Sequence, residues 1–214
     1  RKRVKKKRFG QLAFILKKRR WEIKMDTLEY IQTYLMETID IAQQISKEEI
    51  AKGIEILKNM KEREGRLFLL GVGGSAANAS HAVNDFRKIG GLEAYAPTDN
   101  VSELTARTND EGWETTFSQW LRTSRLNEKD GIFVFSVGGG GKNASPNIVE
   151  ALKLAVERKA SIISIVSRNG GYAREVSDAC ILVPVVDNGR ITPHAEGWQG
   201  IVWHLMVNAL AEPN

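Results

Sequence analysis

The chain has 214 residues, 42% of them hydrophobic and 27% charged, which suits one α/β domain with a substantial core. Its formal net charge of +5 misleads, because residues 1–24 hold twelve Lys/Arg against one acid and residues 25–214 carry a net of −6. The single cysteine, Cys180, excludes an internal disulfide and a cysteine metal cluster, and it sits in an apolar run as a core residue rather than a nucleophile.

Residues 1–24 form a basic leader, and Met25 opens a segment that reads as an ordinary protein start. The apolar centre Phe9–Leu16 is too short to span a bilayer and is followed by Lys17-Lys-Arg-Arg20, a poor signal peptide. The leader is expected to be disordered or non-native and without a role in the chemistry. A nucleic-acid arm is the alternative reading of such a charge run. With neither signal nor spanning segment, the expected compartment is the cytoplasm, with no membrane partner.

From residue 25 onward one domain is predicted. Two amphipathic helices come first, over Thr27–Ile45 and Lys47–Lys61, the second capped by Ser46 with Glu49 three residues on. Strands follow at Arg66–Leu70, Glu93–Pro97, Ile132–Val137, Ser161–Ser167 and Cys180–Val185. Helices separate or follow them at Ser75–Lys88, Trp113–Leu121, Ser145–Arg158 and Ala195–Leu210. Strands rich in Val, Ile and Leu without strict alternation suit a parallel sheet covered on both faces. The predicted fold is therefore a doubly wound α/β domain, its five-stranded, mainly parallel sheet flanked by helices, with N-terminal helices in front.

Ligands of such sheets sit outside the carboxyl ends of the strands. The first strand leads into Gly71-Val-Gly-Gly-Ser75, a glycine turn onto a helix N-terminus whose free N–H groups suit a phosphate. Gly73 and Gly74 allow close approach, and the Ser75 hydroxyl can cap the helix or bind the anion. His81 and Asp85 lie four apart on the helix below, on one face. The turn also fits the relaxed dinucleotide fingerprint, but the acid expected at the end of the next strand is late, at Asp99, so no nucleotide cofactor is expected.

The third strand leads into Ser136-Val-Gly-Gly-Gly-Gly-Lys142-Asn-Ala-Ser145-Pro146. Here Ser136, Gly138 and Gly139 can line a ligand, and Ser145 is a predicted N-cap with Pro146 in the first turn. Gly141-Lys142 is not a nucleotide P-loop, because Ser136 and Asn143 replace its required glycine and hydroxyl. The last helix is mostly apolar yet carries Glu196 and His204, and unpaired charges are costly to bury. His204 is one of only three histidines, the other two being His81 and His194.

Gly71-x-Gly-Gly-Ser-Ala76, the His81/Asp85 pair, Leu104-Thr-Ala-x-x-Asn-Asp110-x-Gly112, Ser136…Ser145-Pro-Asn147 and the acid-x7-His helix occur in that order. Together they resemble the sugar isomerase (SIS) domain superfamily, specifically its phosphoheptose isomerases, over about residues 27–211. The resemblance implies a Rossmann-like SIS fold and a homotetramer with active sites at subunit boundaries. The implied reaction converts sedoheptulose 7-phosphate to an aldoheptose 7-phosphate for bacterial surface-sugar synthesis, and some members hold a zinc ion.

Residue by residue, Ser75, Ser136 and Ser145 match phosphate-binding positions. His81, Asp85, Glu196 and His204 match the zinc positions, and Asp85 and His204, with Glu196, the acid/base group. Asp99, with Gly73, Gly74, Gly138 and Gly139, completes the expected substrate contacts. The chain departs from the family where Asp85 stands for Glu, Glu196 for Gln and Val72 for a substrate-binding Asn. It departs again in a phosphate loop four residues longer, with Val137 and Gly138 replacing two hydroxyls. Glu196 and His204 are about 12 Å apart along an ideal helix, so both reach one ion only if Glu196 precedes the first regular turn. A non-catalytic SIS module that binds a phosphosugar and regulates a partner needs the phosphate turns but not the acid/base group. The presence of His81, Asp85, Glu196 and His204 together favours the enzyme.

Overall fold

A computed structural model describes residues 26–141 and 144–211, so the expectations for residues 1–24 and for Lys142 lie outside the described residues. The chain divides into two compact units, residues 1–37 and 38–214. The described part of the first carries the beginning of helix α1 (Thr27–Gln44), where the rings of Tyr30 and Tyr34 stand 6.4 Å apart.

The second unit contains the sheet. Its elements after α1 are α2 (Lys47–Glu62), β1 (Arg66–Gly71), α3 (Gly74–Lys88), β2 (Glu93–Tyr95), α4 (Val101–Glu111) and α5 (Thr116–Thr123). Then come β3 (Gly131–Phe135), α6 (Pro146–Arg158), β4 (Ser161–Val166), α7 (Gly171–Val176), β5 (Ala179–Leu182) and α8 (Ile191–Ala211). All strand pairs are parallel, in the order β2-β1-β3-β4-β5. The chain reverses direction across the sheet between β1 and β3, which opens a crevice at their carboxyl ends.

Side-chain alternation divides the core. Leu67, Leu69, Phe133, Phe135, Ile163 and Ile165 face one layer, packed with residues of α2, α3 and α8. Phe68, Leu70, Ile132, Val134, Ile162 and Val166 face the other, with residues of α5, α6 and α7. Both faces are covered, so the central strands are buried nearly throughout and show no polar alternation. Ser46 caps α2 as expected, accepting from Glu49 N at 3.1 Å.

At the amino ends of the strands Asp130, 1% exposed, accepts from Arg66 Nη2 at 2.7 Å, Arg66 N at 3.0 Å and Asn127 N at 3.1 Å. This buried carboxylate ties the start of β1 to the turn before β3 and lifts the Arg66 guanidinium above its usual range, chiefly by hydrogen bonding. Cys180 lies on β5 as expected, and burial pushes its thiol up, which makes it a weak nucleophile. Among the described residues, no helix is long and apolar enough to cross a membrane.

Candidate active site

The turn after β1 requires its glycines. A Cβ on Gly71 would stand 2.3 Å from Ser75 O, and Gly73 has φ 64° and ψ −128°, a region closed to other residues. Gly73 is therefore the N-cap of α3, and Ser75 lies inside the first turn instead of capping it. Its buried hydroxyl accepts from Gln199 Nε2 at 3.0 Å, which leaves its proton to donate. Gln199 is held in turn by Asn78 Nδ2 at 2.9 Å.

The turn after β3 forms a second wall. Ser136 is buried, and its oxygen accepts from Gly139 N at 3.0 Å. Gly139 has φ 71°, and a Cβ there would fall 1.8 Å from Gly170 O. The Gly139 and Gly140 carbonyls accept from Ala173 N at 2.9 Å and Tyr172 N at 3.0 Å, so the glycine loop lies directly on the turn that follows β4. Ser145 stands at the N-cap position of α6 with Pro146 next, but it makes no side-chain cap bond. An N-cap side chain reaches back from an extended backbone, whereas Ser145 is left-handed at φ 53°.

Between these walls lies a cavity of about 230 Å³, lined by Ser75, Ser136, Gly138 and Ser145, with Arg168 from the β4 turn and Glu196 from α8. The Glu196 carboxylate lies over the α3 N-terminus, 2.7 Å from where a Cβ on Gly74 would stand.

Further along the same two helices, α3 and α8 bring three ligand atoms together. Asp85 Oδ2 is 3.5 Å from His81 Nε2 and 3.4 Å from His204 Nε2. The Asp85 side chain is 8% exposed and those of the histidines 57% and 50%, so a buried carboxylate faces two imidazoles at the surface. Asn84 Nδ2 donates to Asp85 Oδ1 at 3.0 Å and Trp203 Nε1 donates to Oδ2 at 3.2 Å. His204 Nδ1 lies 2.7 Å from Gly200 O, a contact that requires a proton on Nδ1 and turns Nε2 toward Asp85. The indole of Trp203 stacks on His204 at 4.7 Å and fixes the ring plane.

This donor set fits zinc. Ligands about 2.0–2.1 Å from a tetrahedral zinc stand roughly 3.4 Å apart, with one position left open by three protein ligands. All three atoms lie within 4.8 Å of one another, and the Nδ1–H of His204 has the carbonyl partner that fixes a ligating tautomer. Glu196 stands outside this cluster, which corrects the expected four-residue set. α8 is regular from Ile191, five residues before Glu196, so the eight-residue spacing keeps Glu196 and His204 about 12 Å apart along the axis.

Asp99 also stands apart. It is exposed on the loop after β2, accepts from Ser80 Oγ, and does not line the cavity. The sequence reading missed three members of the site. Arg168 follows β4, whose carboxyl end was the signal to search. Gln199 and Trp203 lie on the apolar face of α8, and their polar partners come from α3, which no local pattern reveals.

Residues 30–167 match the SIS domain family. The chain is 34% identical over 155 residues to phosphoheptose isomerase 1 of Campylobacter jejuni, covering 70% of this chain and 81% of the relative. It is 35% identical over 147 residues to the phosphoheptose isomerase of Geobacter sulfurreducens, covering 66% and 75%. The solved phosphoheptose isomerase GmhA from Neisseria gonorrhoeae superposes with a TM-score of 0.74 at 28% identity, covering 86% of this chain and 98% of that one.

Proposed function

Because the chain belongs to the SIS domain family and within it to the phosphoheptose isomerases, we propose that it interconverts sedoheptulose 7-phosphate and D-glycero-D-manno-heptose 7-phosphate. The phosphate occupies the cavity between the turns after β1 and β3, held by the hydroxyls of Ser75, Ser136 and Ser145. The sugar's reacting end lies toward Asp85 and His204.

Aldose–ketose isomerisation moves one proton between C1 and C2 and relays another between the oxygens on those carbons. Asp85 accepts the proton from one carbon, exchanges it with solvent, and protonates the neighbouring carbon of the enediol. His204 exchanges the oxygen proton through Nε2, while Gly200 O and the Trp203 ring hold the imidazole. Glu196, on the cavity wall, accepts hydrogen bonds from the sugar hydroxyls. His81, Asp85 and His204 would also hold a zinc ion, which would supply a positive charge that stabilises negative charge on the sugar oxygens and would compete with the proton for Nε2 of His204, so metal binding and proton exchange at that atom are alternatives. The reading includes a cytoplasmic homo-oligomer, a tetramer, and Leu28, Ile31 and Leu35, an exposed apolar stripe on α1, support association with further copies.

The observation that carries this reading is the buried Asp85 carboxylate between two surface imidazoles, on the same two helices that line a phosphate-sized cavity. The test is incubation with sedoheptulose 7-phosphate in D2O, followed by chromatography and NMR. An aldoheptose phosphate with deuterium at C2 is the expected product. Binding of the sugar phosphate without conversion would instead make the chain a sensing module.

A further inference from the structure

The cavity presents an electrostatic problem. A sugar phosphate brings negative charge, and Glu196 already places a carboxylate on the wall. Hydroxyls do not offset this. Positions 137 and 138 are Val and Gly, without hydroxyls, and the hydroxyls of Ser75, Ser136 and Ser145 can donate to an anion but carry no net charge.

Among the described residues that line the cavity, Arg168 is the one cation. Its backbone is left-handed at φ 56°, an uncommon conformation for a non-glycine residue and one that clusters at functional sites. The turn that imposes it is pinned on both sides. Ser167 N donates to Val137 O at 3.0 Å, Ser167 Oγ to Val183 O at 2.9 Å, and Gly170 N to Ser167 O at 2.9 Å. The glycine loop rests on the same turn through Gly139 and Gly140, so the backbone that carries Arg168 and the loop form one wall. The side chain of Arg168 is exposed, and no carboxylate among the described residues neutralises it.

We propose that Arg168 is the counter-charge for the substrate phosphate and the residue that makes this site select phosphorylated over neutral sugars. A planar guanidinium can hold two phosphate oxygens at once, a geometry that hydroxyls and a lysine ammonium lack. The proposal rests on the isomerase reading above and deepens it.

The test compares wild type, Arg168→Gln and Arg168→Lys on sedoheptulose 7-phosphate and on unphosphorylated sedoheptulose. Loss of a charge-assisted bond predicts that Arg168→Gln raises KM for the phosphate ester about 10–100-fold with kcat within about twofold. Turnover of the neutral sugar should fall by far less than that of the ester, and Arg168→Lys should recover part of the loss. An unchanged KM, or equal losses on both sugars, would overturn the proposal. Calorimetry with inorganic phosphate separates this result from failure of the isomerase reading. If wild type converts neither sugar, weaker phosphate binding by Arg168→Gln still supports the assignment, and equal binding by both proteins overturns it.

Discussion

The Nε2 atom of His204 stands 3.4 Å from Oδ2 of Asp85, and it points there because Nδ1 is committed to Gly200 O at 2.7 Å. A neutral imidazole in this tautomer directs a lone pair at a carboxylate lone pair. The repulsion is relieved by a second ring proton or by a cation that takes both atoms as ligands.

Zinc should therefore bind and stabilise the fold. Added zinc should raise the Tm of metal-free protein by mass action, and His81→Ala and His204→Ala should lose most of that rise. Glu196→Gln should keep it, because Glu196 lies outside the cluster. Thermal scans with metal analysis check this; loss of zinc in Glu196→Gln would mean that the carboxylate swings in to ligate.

At the opposite end of the sheet, Asp130→Ala should be severely destabilising. It leaves Arg66, whose side chain is 26% exposed, and two N–H groups of Asn127 and Arg66 without their carboxylate. Breaking a buried pair of this kind costs about 3–5 kcal/mol. Denaturant unfolding measures it, and a loss under about 1 kcal/mol would show that the pair does not join β1 to β3 energetically.

The first glycine turn, the five strands and most helix positions were legible in the sequence, because apolar runs and capping residues are local signals. Helix α4 was not. It buries no residue, and it is held by Asn100, which accepts from Glu103 N at 3.2 Å, and by Arg107 paired with Glu103 and Glu111. Such a helix has no apolar face to read. The start of α8 was placed late, at Ala195, whereas the helix begins at Ile191 and takes Pro193 into its first turn, where proline is tolerated. That one shift decides whether Glu196 can join His204. The pairing of His81 with Asp85 was visible as a spacing of four, whereas the Trp203–Asp85 bond joins residues 118 apart and appears only once the helices pack.

Asn147, fully buried at the start of α6, has no hydrogen-bond partner for either amide atom among the described residues. Each unpaired group costs about 1–3 kcal/mol, so Asn147→Leu, of similar size and apolar, should raise the Tm by roughly 2–10 °C. Calorimetric scans check this, and a lower Tm would mean that the amide is paired in solution.

The central claim is acid/base chemistry at Asp85 and His204. Its most direct test is kcat for sedoheptulose 7-phosphate in Asp85→Asn and His204→Gln, with zinc content measured on the same samples. Each variant should lose about 10²–10⁴-fold in kcat, and zinc added to full occupancy should not restore it. Recovery of Asp85→Asn with zinc would make the carboxylate a metal ligand only, and near-wild-type turnover in both variants would remove the pair from the mechanism.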